Sequence, residues 1–403
     1  MRYIVLVGDG MSDRPLEELN GRTPLEVAEI PCMDEIAKRG RVGLVNTIPK
    51  GMSPASDVAN LSIIGYDPKK FYTGRAPLEA ANMGIELKEN EVAFRCNLIT
   101  ESDGKIVDYS AGHISTKEAK ILIEELDKTL GTRNIDFYPG ISYRHLMVLK
   151  VDQPEETDSF SRIKCTPPHD IMNKDIAKYL PKGQGSEILI KLIKRSKGIL
   201  ENHDINRVRI DLGENPANMI WLWGQGPKPN IPTFRELYGV EGSIISAVDL
   251  INGIGKTIGL EVVNVPGATG YYDTNFKGKG EYGLKALKEK DFLFIHVEAP
   301  DEAGHNADIR AKITAIENFD RFVVGTIWEE YKSRGDFRIL VLPDHATPIS
   351  VRTHTSEAVP FVICGADIKS DSIQVFTERS AKASEFFVKD GYMLMKYLIK
   401  GNL

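Results

Sequence analysis

Three largely apolar runs in this chain share one design: Tyr3–Val7 leads to Asp9, Phe292–Val297 leads to Asp301, and Phe337–Leu342 leads to Asp344. Runs with so little polar alternation suit strands covered on both faces, as in a parallel sheet. In open parallel sheets, ligands gather beyond the carboxyl ends of the strands. The three aspartates are therefore expected to converge, although Asp9 stands at the opposite end of the sequence from the other two.

Helical segments fall between these runs. Met33–Arg39 with Gly40 as C-cap, Ile309–Tyr331 with apolar residues at helical spacing, and Gly391–Ile399 near the end all read as helices. Both ends of the chain thus look α/β. The middle differs: Tyr138-Pro139-Gly140, Pro167-Pro168-His169-Asp170 and Gly224-Gln225-Gly226-Pro227 punctuate it with turns around the amphipathic Ser186–Ser196. A length of 403 residues already favours two domains over one core. The reading is a smaller α/β domain, residues 76–237, inserted into a discontinuous outer domain made of 1–75 and 238–403. Lys277–Lys290 reads as a solvated loop leading into a helix, with no chemistry of its own.

Composition narrows the partners. A formal net charge of −6 argues against nucleic acid, which needs a basic face. The four cysteines, Cys32, Cys96, Cys165 and Cys364, lie far apart with no C-x-x-C, so a disulfide scaffold or zinc ribbon is not expected and a reducing cytoplasm fits. The first apolar run meets Asp9 too early for a signal segment, and no later stretch reaches membrane-spanning length. The expected partner is a small molecule. Sequence leaves the oligomeric state open.

Chemistry concentrates near the strand ends. Asp301 and His305 are four residues apart and share one face of a helical turn. Asp344 and His345 are adjacent, so both serve one site only if the strand has ended, as Ala346-Thr347-Pro348 suggests. With His354 and Asp9 they make an oxygen and imidazole set suited to manganese, zinc or magnesium-like ions. Ser56, just before an expected helix, is the candidate nucleophile, and a helix start there favours bound phosphate. Taken singly, Ser56 reads as an N-cap, Asp9 as a turn residue and His354 as a surface polar group; their joint placement is what points to a site.

These residues resemble the cofactor-independent phosphoglycerate mutases, in particular the archaeal-type branch within the alkaline phosphatase superfamily. The marks are Gly8-Asp9-Gly10, Ser56-Asp57-Val58-Ala59-Asn60, Thr73-Gly74-Arg75-Ala76-Pro77-Leu78-Glu79, Val265-Pro266-Gly267-Ala268-Thr269-Gly270, Asp301 with Gly304-His305, Asp344-His345 and His354-Thr355. The resemblance implies an alkaline phosphatase-like parallel-sheet core and two divalent metal ions (manganese, zinc, cobalt or magnesium). Asp9, Ser56, Asp344 and His345 would hold one ion, and Asp301, His305 and His354 the other. It implies further that Ser56 carries the phosphoryl group transiently while 3-phosphoglycerate and 2-phosphoglycerate interconvert, with no bisphosphate cofactor. His113, in Ser110-Ala111-Gly112-His113, resembles the substrate-contacting histidine. Arg144, His169, Asp170 and Arg195 are candidates for gripping the carboxylate or moving a proton, and Lys256 for meeting the phosphoryl group. A homoserine phosphotransferase or a metal-dependent phosphatase on the same scaffold remains the alternative reading.

Overall fold

The computed structural model describes residues 1–401, and the fold separates into two compact units: Met1–Tyr72 with Ile231–Leu403, and Thr73–Asn230. The division follows hydrogen bonds. The Tyr66 hydroxyl donates to the Pro232 carbonyl at 3.0 Å and the Tyr238 hydroxyl to the Gly65 carbonyl at 2.8 Å, binding the segment after residue 230 to the outer unit. Thr73 Oγ1 instead donates to the Pro227 carbonyl at 3.1 Å, inside the inserted unit.

The outer unit is built on an eight-stranded sheet, ordered Phe387–Val388, Arg41–Val45, Val359–Gly365, Phe337–Leu342, Arg2–Gly8, Phe292–Val297, Gly242–Ile245 and Glu261–Val262. The three aspartate-ended strands are neighbours and parallel, with Ile4 opposite both Leu293 and Ile339. Val359–Gly365 runs antiparallel to its neighbours on either side. Ile4, Val5, Leu6 and Val7 are wholly buried, as are Leu293, Phe294, Ile295 and Ile339 to Leu342. Each such aliphatic side chain contributes about 1.5–3 kcal/mol by leaving water. Covering both faces of the sheet leaves its carboxyl edge as the place where polar loops emerge.

Two helical expectations change. The segment Ile309–Tyr331 is three pieces, Ile309–Asn318, a π-helical turn at Phe319–Val324, and Gly325–Tyr331. Within the widened turn lies the Asp320 carboxylate, which accepts bonds from the Cys32 and Met33 amides at 3.1 and 2.7 Å and caps the helix Pro31–Arg39 from outside its own chain segment. Lys277–Lys290 is not a solvated loop: Phe276–Glu289 is a helix capped by the Asn275 side chain. Its lysines misled because Lys279 is fully buried and its ammonium donates to the His296 carbonyl at 2.8 Å.

A buried ion pair fastens two of the loops that leave the carboxyl edge. Lys312 Nζ lies 2.7 Å from Asp13 Oδ2, with both side chains excluded from solvent, and donates to the Thr347 carbonyl at 2.8 Å. Asp13 in turn accepts from the Ile349 amide at 3.2 Å. The loop after Arg2–Gly8 and the loop after Phe337–Leu342 are thereby held to one ammonium.

The inserted unit carries an antiparallel sheet centred on the twelve-residue strand Glu91–Ser102, which pairs with Lys105–Asp108, Arg144–Lys150 and Met219–Pro227, while Ile135–Ile141 extends it beyond Arg144–Lys150. Helices Thr116–Leu130 and Ser186–Leu200 cover the face that bears Phe94 and Cys96. Helix Arg75–Asn82 packs Ala76 and Ala80 against Ala93 and Leu146 on the opposite face.

Truncating the buried ammonium tests the role of that strut. Lys312→Ala leaves Asp13 charged and alone in the interior, and urea unfolding should report a loss of about 3–5 kcal/mol. A loss below about 1 kcal/mol would mean that the two loops are fastened by something else.

Candidate metal and phosphoryl-transfer site

At the carboxyl edge of the outer sheet, local structure aims each side chain. The strand Phe337–Leu342 has ended before Asp344, so Asp344 and His345 both turn inward, and both are fully buried. Asp301 and His305 lie on the short helix Ala299–His305 with His305 Nε2 3.1 Å from Asp301 Oδ2. Gly10 permits the close approach of the first loop. Its φ is +61°, and a Cβ there would stand 2.6 Å from Asp301 Oδ1 and 2.7 Å from Asp301 Cα. Only glycine tolerates both demands at once.

Two ligand groups result. In the first, Asp301, His305 and His354 converge: His354 Nε2 is 3.4 Å from Asp301 Oδ1, and the Nε2 atoms of the two histidines face each other at 2.9 Å. In the second, His345 Nε2 is 3.5 Å from both Asp9 Oδ1 and Asp344 Oδ2, and Ser56 Oγ is 3.1 Å from the same nitrogen. Ser56 is the first residue of the helix Ser56–Ile63. Asn60, one turn on, ties the pieces together by donating to the Ser56 carbonyl at 2.9 Å and to Asp344 Oδ2 at 2.8 Å.

The hydrogen bonds behind the histidines select their tautomers. Thr347 Oγ1 donates to Asp301, so it is left to accept from His345 Nδ1 at 3.3 Å, which bares Nε2 toward the site. His305 Nδ1 donates to the Arg352 carbonyl at 3.0 Å, so the proton that its imidazole can release is the one on Nε2. Arg352 adopts a left-handed φ of +59° to present that carbonyl. Such partners orient metal-binding imidazoles and raise their basicity.

Charge shows what the groups fit. Burial, together with the Asp344 and Asp301 carboxylates, drives the Asp9 carboxyl well above its ordinary range. Asp9 Oδ1 is buried with no hydrogen-bond partner. Burial opposes ionisation of Asp301 as well, yet its bonds to His305 and His354 outweigh it and hold that group well below the usual range. Crowded carboxylates, imidazole nitrogens beside them and an orphaned buried oxygen could hold a divalent cation.

Sequence reading missed His296. It lies inside the strand Phe292–Val297, wholly buried, with Nε2 3.1 Å from Asp9 Oδ2, and it forms a third possible ligand group with Asp9 and Asp344. The signal was present: one histidine in an otherwise apolar strand. Glu298 was missed too; burial, then Asp301 and Glu302, pushes its carboxyl up to about 8.

The expected substrate residues divide. Within the inserted unit, His113 reaches Tyr143 with ring centroids 6.3 Å apart, Tyr143 reaches Tyr109 at 5.8 Å, and Tyr109 reaches His169 at 6.1 Å, so His113 and His169 belong to one aromatic cluster. Arg144 stands opposite Asn97 in the sheet, and Asp170 flanks His169 at 3.7 Å. His113 closes a run of three left-handed residues, Ala111, Gly112 and His113. The Asp108 carboxylate fixes this turn, accepting from the Ser110 and Gly112 amides at 2.7 Å.

Two expectations are corrected. Arg195 is exposed on helix Ser186–Leu200, which covers the Phe94 and Cys96 face of the sheet, so it cannot join groups carried by the opposite face. Lys256 sits near the end of helix Asp249–Thr257 and lines a cleft with Gly242, Leu260 and Lys290. Those residues mark the starts of strands, whereas the ligand groups lie at the strand ends. The helix runs back along the sheet and carries Lys256 to the wrong edge for contact with the ligand groups.

Proton competition gives a test that needs no substrate. Burial lowers the His305 pKa, but the bond and charge of Asp301 and the Arg352 carbonyl prevail and raise it to about 9. A group raised in this way stabilises the metal-free fold fully below its unfolded pKa of about 6.5 and loses that contribution as pH climbs through about 9. A cation must displace the same proton. Manganese affinity at the Asp301 group, measured by paramagnetic resonance titration, should therefore rise roughly tenfold per pH unit between about 6.5 and 8.5; a flat profile would show that His305 is unprotonated before binding. Gly10→Ala should weaken manganese binding at least tenfold in the same titration, with parental affinity counting against the close approach.

Residues 37–206 match the family model described as 2,3-bisphosphoglycerate-independent phosphoglycerate mutase. Over 402 residues the chain is 52% identical to the enzyme of that name from Methanothrix thermoacetophila, covering all of both chains. It is 53% identical over 403 residues to the enzyme of that name from Methanosarcina mazei, covering 99% of this chain and all of the other. Among solved structures, a protein of Pyrococcus horikoshii superposes with a TM-score of 0.83 at 30% identity over 100% of this chain and 98% of that one. The cofactor-independent phosphoglycerate mutase of Thermoplasma acidophilum gives 0.67 at 27% identity over 99% of each chain. With a full-length identity above half and the ligand groups in place, the chain belongs to the family of 2,3-bisphosphoglycerate-independent phosphoglycerate mutases.

Proposed function

We propose that this chain interconverts 3-phosphoglycerate and 2-phosphoglycerate by moving the phosphoryl group onto Ser56 and back, with no 2,3-bisphosphoglycerate. The observation that carries the reading is Ser56 Oγ, 3.1 Å from the bared His345 Nε2 and set among Asp9 and Asp344 at the first turn of a helix. The names of relatives more than half identical over their full length support the same reaction.

In the first half-reaction Ser56 Oγ bonds to phosphorus as the bond to the substrate's O3 breaks, and the serine proton ends on that oxygen. In the second, the O2 hydroxyl of the glycerate attacks phosphoserine and its proton returns to Ser56. Atoms balance without water or a second phosphate. Asp9, Ser56, Asp344 and His345 would hold one divalent ion and Asp301, His305 and His354 another. When bound, such ions (manganese, zinc, cobalt or magnesium) supply positive charge against the phosphoryl oxygens and lower the hydroxyl pKa. The amides opening the helix Ser56–Ile63 favour the same anion.

The inserted unit would hold the glycerate between half-reactions, with His113, Arg144, His169 and Asp170 as its contacts and His113 and Asp170 handling the proton. Burial, with the nearby Arg75 and Arg95, lowers the His169 pKa against the pull of Asp170, so its imidazole is neutral at pH 7 and able to accept a hydrogen bond or proton. We place the reaction in the cytoplasm. All four cysteines are free, and among the described residues no helix is long and apolar enough to cross a membrane.

The test is an enolase-coupled assay of manganese-loaded protein with 3-phosphoglycerate and no bisphosphate, with free phosphate followed in parallel. We expect 2-phosphoglycerate without phosphate release. Phosphate alone would identify a phosphatase, and phosphorylation of homoserine in place of either product would identify the other transferase. Ser56→Ala should reduce turnover by at least a factor of about 10³ while leaving manganese bound at the Asp301 group; normal turnover in that variant would rule out serine as the carrier.

A further inference from the structure

We infer that Asp57 and Tyr72 are positioning residues that decide whether the phosphoryl group on Ser56 returns to glycerate or is lost to water. The inference deepens the mutase reading and rests on it. Asp57 follows the nucleophile directly, is 2% exposed and belongs to none of the three ligand groups. A carboxylate so buried is held by its hydrogen bonds. Its Oδ1 accepts from the Val58 amide at 3.0 Å, in the first turn of the helix Ser56–Ile63, and its Oδ2 accepts from the Tyr72 hydroxyl at 2.6 Å. One side chain thus ties the turn that carries Ser56 to the residue from which the chain leaves the outer unit.

The chain comes back to the other end of the same helix. Ile231 is the first residue to rejoin the outer unit, and the carbonyl of its neighbour Pro232 accepts from the Tyr66 hydroxyl at 3.0 Å. Tyr66 is wholly buried, and its amide donates to the Leu61 carbonyl inside the helix at 3.1 Å. Tyr238 adds its bond to the Gly65 carbonyl, where the left-handed φ of +99° and the nearness of that hydroxyl leave no room for a Cβ. Between the two anchors the Phe71 ring meets the Tyr66 ring edge-on at 5.7 Å, and the Tyr72 amide donates to the Pro68 carbonyl at 3.0 Å. Both covalent links to the inserted unit are therefore fastened to the helix that begins with Ser56.

That helix is also fixed to a ligand group, since Asn60 bonds to the Ser56 carbonyl and to Asp344, and Ser56 Oγ faces His345 Nε2. Nucleophile, ligand group and both links thus share one short mount. Its importance follows from the chemistry of phosphoserine. Return to glycerate needs the O2 hydroxyl and phosphorus about 3–3.5 Å apart and in line, and a misplacement of about 1 Å costs on the order of 10²-fold. Water is a small acceptor that needs no mount. Its oxygen bonds to phosphorus as the bond to Ser56 Oγ breaks, one of its protons passes to Oγ, and phosphate leaves. A looser mount slows the first route and spares the second, so the bond that holds the mount sets the acceptor.

Tyr72→Phe removes the hydroxyl and keeps the ring. The readout is free phosphate released per 2-phosphoglycerate formed from 3-phosphoglycerate by the manganese-loaded full-length protein. A ratio of two products from one sample does not depend on how much of that sample is folded. Tyr72→Phe should raise the ratio at least about tenfold and lower kcat, with manganese affinity at the Asp301 group unchanged. Asp57→Ala should do the same, and combining the two should add little, because each removes the same bond. Asp57→Asn, which keeps an oxygen for the Tyr72 hydroxyl, should fall between. A parental ratio in Tyr72→Phe overturns the inference, and so does a loss in which both products fall together. Effects of Tyr72→Phe and Asp57→Ala that multiply would show the two residues acting apart, and overturn it as well. A parent that makes no 2-phosphoglycerate overturns the mutase reading and this inference with it, whereas a parent that makes it, beside a Tyr72→Phe variant with the same ratio, overturns this inference alone.

Discussion

Carboxylates that repel one another at the ends of adjacent strands are the constraint on which the outer unit turns. Asp9, Asp301 and Asp344 are buried together because three parallel strands with dry faces deliver them there. Two partial remedies lie within the protein itself. Imidazoles intervene between the acids, and the Lys312 ammonium grips the backs of the two loops that carry Asp9 and Asp344. Neither supplies full compensation: Asp9 keeps a buried oxygen without a partner and a strongly raised pKa. A cation bound among these acids would therefore stabilise the fold as well.

In the inserted unit the Arg95 guanidinium stands over the Trp223 ring, and a run of left-handed residues ends at His113. Left-handed backbone at a non-glycine residue costs on the order of 1 kcal/mol and persists where the surroundings enforce it. Here they do: Asp108 accepts from two amides of the turn and Arg209 donates to the Ala111 carbonyl at 2.9 Å.

Much of this was legible in the sequence because the relevant signals are local. A run of apolar residues followed by aspartate is a strand and its mouth, and Asp301 with His305 is one helical turn. The omissions and errors have a common physical origin. His296 hides in a strand because alternation says which face a residue occupies and nothing of the loop it touches. Lys256 was assigned from a local motif, but the return direction of its helix sends it to the other edge of the sheet. Lys279 and its neighbours read as solvated because charge predicts exposure on average, and a buried ammonium bonded to a carbonyl is the exception.

The interrupted outer unit has a consequence for how the molecule is made. Arg2–Gly8 is synthesised long before its partners Phe292–Val297 and Phe337–Leu342. At a synthesis rate of roughly 5–20 residues per second, those partners emerge tens of seconds later at the slow end of that range. Meanwhile the inserted unit, whose strands pair only among residues 73–230, has everything it needs to form its sheet. The nascent chain must therefore carry an unpaired apolar strand while the pairing partners of the inserted unit are already complete. No ligand group is complete until the last quarter of the sequence has been translated, so a fragment released early would carry Ser56 with no histidine beside it.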